Sequence, residues 1–176
     1  MPDRPGPARA APHGEDSFDR LFLAEYGRVV AIAQRVVDDR TEAEDVAQEV
    51  FWDLHRRDHT GKSYARAWLY KAAAHTALNR VRSRKRREKR ELTTFDRAAA
   101  APDPSQLVEQ QEQREEVRTA LQRLSRKSAS VLVLRYSGLS YVEVAQALGV
   151  GTNQIGTLLR RAEQALRKEM RDASSV

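Results

Sequence analysis

Apolar positions recur three and four residues apart along most of the chain, the spacing of amphipathic helices. Phe18, Leu21, Phe22, Tyr26, Val29, Val30, Ala33, Val36 and Val37 form a first stripe, with Asp16 or Ser17 placed to cap it. A second helix is predicted after Thr41 and Glu44, which have capping-box spacing. Ala43, Val46, Ala47, Val50, Phe51 and Leu54 turn inward there, and Glu42, Asp45, Gln48, Glu49 and Trp52 turn outward. After a break at Asp58, Thr60 and Gly61, one long helix is predicted from near Ser63, grouping Tyr64, Ala67, Trp68, Ala72, His75, Leu78 and Arg82 on its surface. Residues 91–106 keep no apolar period and contain Pro102 and Pro104, which reads as a linker. Leu107, Val117, Leu121 and Leu124 then mark another helix, and Ser128 to Tyr136 a short buried one.

The most informative stretch runs from Leu139 to Arg167. Ser140 and Glu143 are spaced as a capping box, and a short helix is expected to stop at Gly149 in a left-handed turn. Thr152 is placed to cap the next helix. That helix sets Ile155, Leu158, Leu159, Ala162 and Leu166 on one side, and Asn153, Gln154, Thr157, Arg160, Arg161 and Gln164 on the other. Small Ala145, the turn glycine and apolar Val144, Leu148 and Val150 suit two crossed helices. The pattern is a helix-turn-helix, whose second helix enters the DNA major groove. Two merely packed helices of an all-α protein are the plainer reading. The predicted fold is all-α: two small helical domains joined by a flexible linker, the C-terminal one containing the helix-turn-helix.

Composition sharpens this. The chain has 176 residues and a formal charge of +6. Its pI is about 9.9, which favours a nucleic-acid partner. It has no cysteine, which excludes disulfides and thiol chemistry and fits a reducing cytoplasm. No apolar run is long enough to span a bilayer, so membrane insertion is not expected. The Pro-, Ala- and Arg-rich residues 1–15 read as a disordered tail.

The charges are unevenly placed. Arg80, Arg82, Arg84, Lys85, Arg86, Arg87, Lys89 and Arg90 crowd the end of the long helix, and along the chain only Glu88 opposes them. A basic run with aromatic residues upstream suits a phosphate backbone and stacking on unpaired bases; a targeting signal is the trivial alternative. The acidic face from Glu42 to Asp53 is either solvated or a docking surface for a basic partner. His55 and His59 lie four residues apart but lack further ligands for zinc, so no metal site is assigned. Gly149, Gly151 and Gly156 do not have the spacing of a phosphate loop, and no catalytic residue is assigned.

Three phrases in order, AEDVAQEVFWDL, ARAWLYKAAAHTALNRVRSRKRR and LRYSGLSYVEVAQALGVGTNQIGTLLRRAEQALR, resemble the extracytoplasmic-function group of bacterial sigma factors, within the sigma-70 family. The resemblance runs from about Phe18 to Arg171. It implies a region 2 domain at 16–90, the linker at 91–106 and a region 4 domain at 107–171. It implies that Asp45, Gln48, Glu49 and Asp53 bind core RNA polymerase at the clamp helices of its largest catalytic subunit. His59, Trp68, His75, Asn79, Arg82, Arg84, Lys85, Arg86 and Arg87 would contact the promoter −10 element. Thr152, Asn153, Gln154, Thr157, Arg160 and Arg161 would read the −35 element. No cofactor is implied. An anti-sigma factor is, and it can hold such a cytoplasmic protein at the membrane. The chain departs from the family at His59, where an aromatic residue is frequent, at His75, where asparagine is common, and at Gly156, where lysine is frequent. A stand-alone helix-turn-helix regulator would explain the last helices but not the acidic one.

Overall fold

The computed structural model describes residues 15–92 and 106–174. They form seven helices: α1 (Glu15–Val37), α2 (Arg40–Arg56), α3 (Ala65–Leu92), α4 (Gln106–Arg123), α5 (Arg126–Tyr136), α6 (Tyr141–Leu148) and α7 (Thr152–Ser174). The expected tail and most of the expected linker lie outside the described residues.

Helices α1, α2 and α3 pack mutually, and α7 gathers α4, α5 and α6. The second half of α1 is enclosed more widely than one stripe predicts. Ile32, absent from that stripe, is fully buried with Val29 and Ala33, because α2, α3 and α5 all touch α1. On α3 the buried row is Leu69, Tyr70, Ala73, Ala74, Ala77, Leu78 and Val81. The surface group expected there (Ala67, Trp68, Ala72, His75) flanks that row and is only partly buried.

Several helix starts differ from expectation. Asp16 and Ser17 lie inside α1. The N-cap of α2 is Asp39, whose carboxylate accepts from the Glu42 amide at 2.7 Å; Thr41 is already helical and Glu44 pairs with Arg40 instead. Asp38, just before, adopts a left-handed φ of 65°, a conformation that Asp tolerates better than most residues. Ser125 caps α5 by accepting from the Ser128 amide. Thr152 is the first residue of α7 rather than its cap.

The two helical groups are joined by more than chain. Their buried apolar residues form one contiguous core. Helix α3 packs on α5 and α6, and α1 touches α5. Residues Ala129 to Leu134 of α5 are all buried, as a helix contacted on every side must be.

A buried polar network ties α1 to α3. Glu25, 5% exposed, accepts from the Tyr70 hydroxyl at 2.5 Å and pairs with Arg66 at 2.6 Å. Burial first, then the hydrogen bond and the charge of Glu25, push the Tyr70 phenol from 10.0 up to about 12. The folded value exceeds the unfolded one, so this contribution is complete below pH 10 and is lost as pH rises through 12. Tyr70→Phe is expected to cost about 1–2 kcal/mol near neutral pH, since Glu25 keeps Arg66. Urea midpoints of the two proteins should converge between pH 10 and 12; a gap undiminished at pH 12 would contradict the assignment.

Candidate nucleic-acid interface

The helix-turn-helix is built as its residues dictate. Ser140 and Glu143 form a complete capping box: the Ser140 amide donates to Glu143 at 2.7 Å and the Glu143 amide donates to the Ser140 hydroxyl at 3.3 Å. The Ser140 backbone bond is the main cause holding the Glu143 carboxyl below its usual range. Gly149 ends α6 with φ 67° and ψ 41°, and the Val150 amide closes the turn onto the Ala145 carbonyl at 3.0 Å. Ile155 and Ala162 are fully buried and anchor α7 beneath α6. The opposite face is bare: Thr152, Asn153, Gln154, Thr157, Arg160 and Arg161 are all exposed. Gly156 lies between them, and the ring of Tyr141 sits 4.0 Å from where its Cβ would be. Arg135 stacks on that ring at 5.6 Å. Tyr141, with Arg135 stacked on it, therefore borders this face of α7, a placement that no spacing in the sequence signals.

On the first group, the turn between α2 and α3 carries an aromatic cluster. His59 Nδ1 lies 3.1 Å from the Tyr64 hydroxyl, and its ring meets Trp68 edge-on at 5.4 Å. His59 and Trp68 were expected there. Tyr64, half exposed, joins them and was outside the expected set. His55 instead packs against Phe18, at 5.1 Å. Among the described residues no three His, Asp or Glu side chains are placed to hold a metal ion.

The charge pattern changes in three dimensions. The arginines of α3 are opposed by α2 as well as Glu88: Arg80 pairs with Glu49 at 2.6 Å and Arg84 with Glu42 at 3.1 Å. These pairs line an open cleft of about 700 Å³ between the two helices. Of the expected polymerase-binding residues, Asp45 and Gln48 are exposed, Glu49 is engaged by Arg80, and Asp53 pairs with Arg56 at 2.9 Å. Trp52, 65% exposed, stands on the same helix.

The expected −10 residues divide in two. Lys85, Arg86 and Arg87 are exposed. Asn79 and Arg82 are in contact with the second group: Arg126 donates to Asn79 Oδ1 at 3.4 Å, and Arg82 donates to the Leu124 carbonyl at 2.9 Å. His75, partly buried beside them, is held below its usual range by burial first and then by Lys71, Arg126 and Arg82.

Residues 21–87 match the family described as Sigma-70 region 2, and residues 114–166 match Sigma-70, region 4. The chain belongs to the sigma-70 family. It is similar to the RNA polymerase sigma factor YlaC of Bacillus subtilis, with 30% identity over 88% of this chain and 92% of that protein. It is similar also to the sigma factor SigX of the same organism, an extracytoplasmic-function factor, with 29% identity over 89% and 84%. Among solved structures it resembles CnrH in complex with the cytosolic domain of CnrY, with TM-score 0.55 and 20% identity, covering 92% of this chain and 91% of that one. It resembles likewise RpoE of Bartonella quintana in complex with the anti-sigma factor NepR, with TM-score 0.52 and 22% identity, covering 88% and 96%. This sigma factor is of the extracytoplasmic-function group and directs promoter recognition in transcription initiation.

The turn of its DNA-reading motif gives a direct test. Nothing lies within 4 Å of a Cβ built on Gly149, so a substitution there meets only backbone strain. Gly149→Ala is expected to cost about 1 kcal/mol, and Gly149→Asn less. Urea denaturation followed by circular dichroism measures both; equal stability of all three proteins would refute the left-handed turn.

Proposed function

We propose that the sigma factor works through three separate surfaces. The acidic face of α2, with Asp45 and Gln48 foremost and Glu49 and Asp53 beside them, docks on the clamp helices of the largest catalytic subunit of core RNA polymerase. Helix α3 and its preceding loop hold the unpaired −10 strand, with the cluster of His59, Tyr64 and Trp68 as a stacking platform. His75, Asn79, Arg82, Arg84, Lys85, Arg86 and Arg87 follow the strand's phosphates and bases. Helix α7 reads the −35 element through Thr152, Asn153, Gln154, Thr157, Arg160 and Arg161, with arginine matched to guanine edges. On this reading residues 16–90 and 107–171 are the two working domains, with a tail before them and a linker at 91–106.

The observation that carries the reading is the exposed polar face of α7 over a fully anchored helix-turn-helix. The free energy for opening DNA is that of binding, with no chemistry performed by the sigma factor itself. The neighbouring structures of CnrH and RpoE, each held by a protein partner, support an anti-sigma factor for this chain too. Among the described residues no helix is long and apolar enough to cross a membrane. We place the chain in the cytoplasm, with any membrane tether supplied by that partner.

Core polymerase supplemented with the chain should give promoter-specific transcripts, whereas a stand-alone regulator would bind duplex DNA tightly and direct none. Asp45→Arg, which breaks none of the ion pairs described above, should lower co-purification with core polymerase about tenfold. Unchanged co-purification would remove α2 as the docking face. Arg160→Ala with Arg161→Ala should weaken the upstream footprint while leaving core binding intact; an unaltered footprint would remove both from the −35 contact.

A further inference from the structure

We propose that the hollow where α1, α4, α5 and α7 meet binds a long-chain carboxylate. The apolar chain lies along Val117, Leu121, Leu132 and Leu166, and the head is held by Arg35, Arg114 and Arg167. None of these residues belongs to the three surfaces assigned above, so the site stands or falls on its own lining.

The hollow is open, with a volume of about 1000 Å³, at the upper end of the range that takes a small molecule. Its floor is apolar. Leu121, Leu132 and Val133 are buried in the core beneath it, whereas Val117 and Leu166 are covered only in part. A hydrocarbon chain laid there removes their remaining surface from water. Its edge is basic. Arg35 comes from the last turn of α1, Arg114 from α4 and Arg167 from α7. All three are exposed, and none has an ion-pair partner among the described residues. Arg80 and Arg84 of α3, by contrast, are answered by Glu49 and Glu42.

The carboxylates of the lining are already engaged. Asp38 pairs with Arg118, and Glu163 accepts from the Tyr136 hydroxyl at 2.9 Å. Positive charge is therefore left in excess over an apolar floor. Arg118 points the same way. It is 9% exposed, and its buried Nε–H has no acceptor although its terminal nitrogens reach Asp38 and Glu115. A buried donor is normally satisfied. The lining also narrows the ligand. A guanidinium fork matches the two oxygens of a carboxylate. The charge of Glu163 on the same wall favours a singly charged head over a dianion. Tyr136 is the one aromatic side chain among the described residues of the lining, so a nucleobase finds a single ring to stack on. The aliphatic floor suits a hydrocarbon chain.

The test titrates dodecanoate, kept below its micelle concentration, into the full chain by calorimetry. One molecule should bind per chain, and the melting temperature should rise by about 4 °C at roughly ten times the dissociation constant. Decanoate should bind roughly tenfold more weakly, because each buried methylene contributes about a fourfold factor. Dodecyltrimethylammonium, with the same chain and the opposite charge, should not bind at that concentration. Arg114→Gln with Arg167→Gln breaks no ion pair among the described residues, so the urea midpoint without ligand should hold while dodecanoate affinity falls about tenfold. Arg57→Gln with Lys127→Gln removes the same charge from exposed positions outside the hollow and should leave that affinity unchanged. Equal binding of the cation, wild-type affinity in the first double variant, or an equal loss in the second would each overturn the site. So would many molecules bound per chain with no rise in melting temperature. Binding to phosphatidylglycerol vesicles with none to monomeric dodecanoate would overturn it as well, since the patch would then be a contact for a lipid surface.

Discussion

A short helix buried on every side dictates how this sigma factor is assembled. From Ala129 to Leu134, Ser130 included, α5 turns no side to water. At roughly 25 cal/mol for each Å² of apolar surface kept from solvent, uncovering it is costly. The second group alone covers α5 with α7 and α6; α3 and α1 complete the enclosure. The single continuous core follows, and so does the placement of Arg82 and Asn79 beneath the α4–α5 junction.

The second organising fact is that charge acts through space. Read along the chain, an acidic helix precedes a basic one, and each looks like a surface for an outside partner. Folded, Glu42 and Glu49 meet Arg84 and Arg80 within 3.1 Å. These pairs are partly exposed, so each contributes little to stability, on the order of 0.5 kcal/mol. Their larger effect is selection: they withdraw some charges from binding and leave Asp45 and the Lys85–Arg87 turn to act outward.

What was legible in the sequence was local. The Ser140–Glu143 box, the Gly149 stop and the polar face of α7 are set by contacts within a few residues, and each is found where spacing put it. Asp16, Ser17 and Thr152 lie within their helices, and the cap of α2 sits two residues before Thr41 because geometry rather than composition chooses Asp39. Of the buried row of α3 only Leu78 was named: Ala73, Ala74 and Ala77 look indifferent in a pattern of large apolar residues, yet they let helices approach closely. Ile32 and the α3–α5 contact were invisible for a different reason. They depend on which elements meet across residues 93–105, and no periodicity within one helix reports that.

The turn at Lys85 to Arg87 has a kinetic consequence. These side chains remain at the surface while Asn79 and Arg82 are engaged. Phosphate attraction carries no sequence information, acts over about 8 Å at physiological salt and permits sliding along duplex. On the proposed assignment of these residues to DNA, arrival through phosphates and recognition of the −10 sequence become separate events with different salt sensitivities.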